Sequence, residues 1–499
     1  MSLSNQLRNQ HLLWRAGFGP AVEQLSDLSA FSSKEFYKAM IKASGKKPEY
    51  INVADNYLQG LMMGIGEAGR LQKKDLSADE KKQVQQKSRE GVRNLNLYWL
   101  KEMVNSGAQL REKMAFFWHG HFACRNLNIF YQQGLLNVIR QNALGNFGDL
   151  LKEVSRTAAM LNFLNNQQNK KDHPNENFAR EVMELFTLGR GNYTEHDVKE
   201  AARAFTGWTA TPKAEFIFRK AQHDYGDKTI LGETGNYEGE DVLDILLKQK
   251  QTAKFITQKI YRFFVNEQID PVHVEWLSDR FYKSGYEISK LMEDIFTSDW
   301  FYEEKNIGAK IKSPIELLAG IQRMLPMTLE NEESLIVLQR ILGQMLFYPP
   351  NVAGWPGGRT WIDSSTLMMR MRIPQLINDE DELNVKPKDD DDQMMGRSNA
   401  ELKAEDGAAA VKPAKFGKNK GGGMAGKPIN ANVDWNKYVN YFDKTERDKL
   451  VNALAGVLLQ TKTAVGADII KEYSDVTSRD NFIKSATIQI MSTPEYQLC

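Results

Sequence analysis

Cysteine is scarce in this sequence. Two cysteines, Cys124 and Cys499, stand in 499 residues. They cannot make a disulfide framework, and no CxxC metal motif exists. That favours a reducing compartment. A charge of one sign is missing too: 65 Lys and Arg against 64 Asp and Glu leave a formal net charge of +1. Bulk electrostatics therefore gives no pointer to nucleic acid or to a membrane surface. Long apolar runs are absent. No window approaches the roughly 18 consecutive apolar residues of a membrane span, and residues 1–20 lack the apolar core of a secretory leader. As written, the chain reads as cytoplasmic, with export as the alternative. No internal repeat is visible.

What remains is globular in composition, 41% hydrophobic and 26% charged, and long enough for several domains or one large one. Apolar residues recur at helical spacing along most of the chain. The expectation is a mainly α protein: a single large multi-helix domain with a small β-hairpin excursion and a low-complexity insertion. Residues 1–378 form the helical body and 433–499 complete it. Residues 379–432, with an Asp389–Asp392 run, scattered lysines and Gly421–Gly423, read as a loosely ordered insertion. The best strand is 215–219, with 228–232 as its hairpin partner.

Chemistry concentrates in 173–208. Pro174 opens a helix on which Phe178, Val182 and Leu185 repeat, and Gly189 and Gly191 close it. Glu181 and Glu184 share a face there, and Arg180 lies four before Glu184. Glu176 stands at the entry. Thr194 caps a second helix, with Asp197 three residues on. Such charges are surface ion pairs in one reading, and catalytic or metal-binding groups in the other.

A second stretch, 111–125, holds His119-Gly120-His121. On a helix, residues two apart point about 200° away from each other and cannot easily share a metal; an extended or kinked segment would let them. Either the two imidazoles pack among Phe116, Phe117, Trp118 and Phe122, or they bind a divalent zinc, iron or manganese with Glu176, Glu181 and Glu184 as oxygen donors. His11, beside Leu12, Leu13 and Trp14, reads as a packed histidine. His223-Asp224, just past the strand, is either a turn-stabilising pair or a binding pair. A third stretch, 347–366, is rich in Pro, Gly and Trp and reads as a rigid loop. There Asn351, Trp355, Arg359, Trp361 and Asp363 either line a pocket or plug the core.

The motifs HLLWRAGFG (11–19), REKMAFFWHGHF (111–122), NALGNFGDLLKEVSRTAAMLNFLNN (142–166), NENFAREVMELFTLGRGNYTEHDVKEAARAFTGW (175–208), HDYGDKTILG (223–232), KSPIELL (312–318) and FYPPNVAGWPGGRTWI (347–362) together resemble the bacterial domain-of-unknown-function family 1800. The resemblance runs from about residue 8 to 375 and resumes at the C terminus, with the insertion outside it. It implies a mostly helical fold and no established reaction. It also implies frequent export and a gene beside the family of unknown function 1501, which is similar to the sulfatase and alkaline-phosphatase superfamily. That family supplies the expected protein partner. Many relatives carry His where this chain has Phe186.

These residues leave two functions open. The first is a metal-dependent hydrolase or oxidoreductase, with His119, His121 and Glu176 holding the metal and Glu181, Glu184 and Arg180 acting in catalysis. The second is a non-catalytic binding or scaffold protein whose polar cluster is a buried ion-pair network. Arginines filling the gaps between the carboxylates would favour the second.

Overall fold

The computed structural model describes residues 3–54, 56, 58, 77–378 and 431–499. The architecture is mainly α, with three two-stranded antiparallel sheets among the described residues. None of the described helices is long and apolar enough to cross a membrane. The low-complexity stretch 379–432 lies outside the described residues, apart from 431 and 432, which belong to a strand. Tyr57, Leu61 and Met62, whose spacing in the sequence is helical, also lie outside them.

The helices that frame the polar and charged groups are α1 (Asn5–Arg15), α2 (Ser33–Ser44), α3 (Ala78–Asn105), α4 (Gln109–His121), α5 (Ile129–Asn142), α6 (Asn177–Glu181), α7 (Glu195–Ala204), α8 (Lys250–Phe264), α9 (Pro314–Met324), α10 (Ser364–Ile377) and α11 (Arg479–Met491). Helix α4 is the hub. Every residue of it except Gly120 is buried, including Arg111, Glu112 and Lys113. A helix with apolar residues all round belongs inside a core, and α2, α3 and α5 pack on this one.

Local rules place the ends as the sequence indicates. Ser313 caps α9, with Pro314 in its first turn and Glu316 completing the capping box. Thr194 and Asp197 do the same for α7. Asp363, read in the sequence only as a pocket or plug residue, caps α10 by accepting from Ser365 N and Thr366 N.

The hairpin pairing differs from expectation. Strand β2 (Phe216–Phe218) pairs with β1 (Trp208–Ala210), while β3 (Lys228–Ile230) pairs with β4 (Glu233–Gly235). The reason is local. Leu231 and Gly232 both have positive φ, 50° and 85°, which is the two-residue turn that folds β3 straight back onto β4. Asp197 supports this turn by accepting from Leu231 N at 2.7 Å. A third sheet pairs β5 (Met327–Leu329) with β6 (Ala431–Val433), so the C-terminal segment returns to the body. The apolar spacing over 131–165 predicts two helices; the structure has three, because short breaks precede Phe147 and Ala158.

Candidate functional site

The 173–208 stretch forms its two helices, with one difference. Helix α6 stops at Glu181 and a π-helical turn occupies Val182–Thr187. Leu188 N reaches back five residues to Met183 O, and the Thr187 hydroxyl donates to Val182 O at 2.7 Å. Wide turns of this kind interrupt α-helices at functional or strained places. Two carbonyls within it have side-chain partners from elsewhere. Lys259 on α8 donates to Leu185 O at 3.0 Å, and His121 Nε2 lies 3.3 Å from Phe186 O.

That contact fixes the chemistry of His121. A carbonyl only accepts, so Nε2 carries the proton, and Nδ1 accepts from Lys259 Nζ at 3.2 Å. Burial and the nearby Lys259 charge hold the imidazole neutral, far below its usual range. His119 is the opposite tautomer. Its Nε2 accepts from Phe347 N at 3.2 Å, so its proton is on Nδ1. Burial depresses it to about 3. The pair sits on a regular helix, so the rings diverge: His119 faces Trp99, Phe347 and Trp355, while His121 faces Phe117, Phe122 and Phe186.

The carboxylates of the stretch are engaged by arginines. Arg180 spans Glu195, in two bonds of 2.8 and 2.7 Å, and Glu176, at 3.0 Å. Arg203 spans Glu200 and Asp224. Glu184 accepts from the Tyr193 hydroxyl at 2.5 Å and from Arg190. Glu181 has no such partner among the described residues. Burial lifts its carboxyl, and the charge of Glu184 adds to the effect. Among the described residues no group of three His, Cys, Asp or Glu is placed to hold a metal. His119, His121 and Glu176 are therefore not brought together as ligands, and their donor set does not fit a divalent ion.

His223 is buried, with Nδ1 donating to Thr206 O at 3.0 Å and its ring between Phe218 and Tyr225. Asp224 turns instead to Arg203. In the 347–366 loop, Trp361 is buried and Trp355 half-buried, while Asn351, Arg359 and Asp363 are exposed. The Asn351 carboxamide closes a turn by accepting from Ala353 N at 2.9 Å. Gly354, at φ 80°, lies so close to the Gly120 carbonyl that a Cβ there would collide with its oxygen. The loop thus seals the end of α4 on the His119 side.

The family described as Protein of unknown function (DUF1800) matches residues 11–498. The chain belongs to that family. No curated protein and no solved structure matches it. For a DUF1800 chain, the groups missed by motif reading are as informative as those found. Lys259 interrupts the apolar stripe of Phe255, Ile256, Ile260 and Phe263, which is the signal that marks it. Burial lowers its amine to about 8.

The second missed group is the charge buried on α4. Glu112 accepts from Trp99 Nε1, Arg111 Nε and both Nε and Nη2 of Arg140. Lys113 donates to Glu316 on α9, and Lys310 reaches the same carboxylate. The REK tripeptide inside an otherwise apolar motif is its visible trace.

Proposed function

We propose that this DUF1800 chain is a non-catalytic binding or scaffold protein. The observation that carries the reading is Arg180. It occupies the space between Glu176 and Glu195, where a metal-dependent mechanism would need open ligands. Arg203 repeats the arrangement between Glu200 and Asp224, and the two histidines spend their free nitrogens on backbone or on Lys259. Groups so committed have little left to offer a metal or a substrate proton.

The partner is a protein of family 1501, the neighbour implied by the family. The docking face is the exposed rim of the 347–363 loop, where Asn351, Arg359 and Asp363 reach solvent. The turn that Asn351 closes with Ala353 N holds part of this rim in place before a partner arrives, which lowers the ordering cost of association.

The test is calorimetry of the purified chain with a family 1501 protein from the same source. A saturable complex is expected, weakened about tenfold or more by Arg359→Glu. No complex between two folded proteins, or metal-dependent turnover of an ester or phosphate lost in Glu181→Gln, overturns the reading.

A further inference from the structure

A cleft of about 310 Å³ opens between the end of α2, α3 and the start of α4. That volume is at the small end of ligand sites. Arg111 and Arg140 lie on its floor, both more than nine-tenths buried. Tyr98 and Glu102, four residues apart on one face of α3, form one wall. Lys46 and Lys47, in the turn after α2, form the opposite rim. Glu49 also lines the cleft, so four cations face two carboxylates.

The wiring leaves specific donors and acceptors unused. Arg140 is spent: Nε and Nη2 on Glu112, Nη1 on Glu49 O, and a weaker 3.3 Å contact from Nη2 to Glu102 Oε2. Arg111 uses Nε on Glu112 and Nη1 on Lys46 O. Its Nη2 has no partner among the described residues, nor do Glu102 Oε1 or the amines of Lys46 and Lys47. The unused groups are therefore polarised. Donors of positive charge gather at Arg111 and the lysine rim, and an accepting carboxylate faces them beside an exposed aromatic ring. A guanidinium prefers an oxyanion, and a carboxylate next to a Tyr face suits an ammonium.

We propose that this cleft binds a small free zwitterion, its carboxylate against Arg111, Lys46 and Lys47 and its ammonium between Glu102 and the Tyr98 ring. Burial lifts the Glu102 carboxyl above its ordinary range, and an ammonium beside it would restore the charged form. The site is independent of the partner face on the 347–363 loop.

Calorimetry on the full chain tests it, using glycine, β-alanine, 4-aminobutyrate and 6-aminohexanoate as probes of graded length, with butyrate as the amine-free control. At least one amino acid should bind saturably at one site. Lys46→Gln/Lys47→Gln should weaken it about tenfold or more, and Glu102→Gln should reduce it to the affinity of the control. The rim lysine amines hold no contact that folding needs, and circular dichroism checks each variant. No binding by any probe up to about 10 mM, or binding that these substitutions leave unchanged, overturns the proposal.

Discussion

Two charged regions of this molecule look alike on paper and differ in solvent. In the Glu176–Arg180–Glu195 ladder, the three side chains are about a third to two thirds exposed. In the Lys113–Glu316 pair, both side chains are 1% exposed. The same ion-pair chemistry has opposite consequences in the two places. An exposed pair contributes about 0–1 kcal/mol, because water competes for each partner. A buried pair contributes little net, yet deleting one partner strands the other in a low dielectric and costs about 3–5 kcal/mol. The sequence draws the eye to the first region; the fold depends on the second.

The sharpest way to break this contrast is Glu316→Gln. The change leaves Lys113 and Lys310 facing a neutral amide in the core and weakens the Ser313 cap. Urea unfolding should show a loss of about 3–5 kcal/mol. Lys113→Met in the same background should cost less than it does alone, because the cation left without its carboxylate has gone. Full additivity would mean that the pair is not coupled.

Acidity sharpens the contrast next. Lys113, Lys310 and the Ser313 backbone hold the Glu316 carboxyl far below its ordinary value of 4.5, against the opposing effect of burial. The unfolded chain then takes up this proton at higher pH than the folded one. Stability is present above about pH 4.5 and falls as pH drops through the window below it. Glu316→Gln should flatten that acid limb. Lys312 acts at the other end. Burial lowers its amine to about 7 from an ordinary 10.5. Between those values the unfolded chain again binds the extra proton, so this group makes stability rise with pH. Lys312→Met should remove that rise from the alkaline half of the profile.

The smallest effect belongs to the region that looks most like a site. Arg180→Ala should cost less than about 1 kcal/mol and leave the far-ultraviolet circular dichroism unchanged. A loss several times larger would mean that the ladder is shielded from water and carries structure after all.

The same contrast between local and assembled properties separates what was legible in the chain from what was not. Helix ends were legible, because caps are local: Ser313-Pro314, Thr194 with Asp197, and Gly189 each act within a few residues. The mainly α class followed from periodicity. Strand partners were not legible, since the positive φ of Leu231 has no signature in a side chain that ordinarily avoids it. The π-turn was equally hidden, because two of its carbonyls are met by Lys259 and His121, far away in sequence. The candidate metal site rested on His119 and His121 leaving the helical path. They stay on it, and tertiary contacts with Phe347 N and Lys259 Nζ use the lone pairs that a metal would need. Only burial separates REK in the core from charges at the surface, and burial is a property of the assembled helices.

The central claim is that the two histidines and the arginine-paired carboxylates of these motifs are committed to protein partners. Its most direct measurement is side-chain ¹⁵N NMR of the histidine-labelled chain at neutral pH, with and without added zinc, iron(II) or manganese(II). Two neutral rings of opposite tautomer are expected, His119 protonated at Nδ1 and His121 at Nε2, assigned through His119→Gln and His121→Gln and unmoved by any of the three ions. Matching tautomers, or stoichiometric metal-induced shifts in both rings, would contradict it.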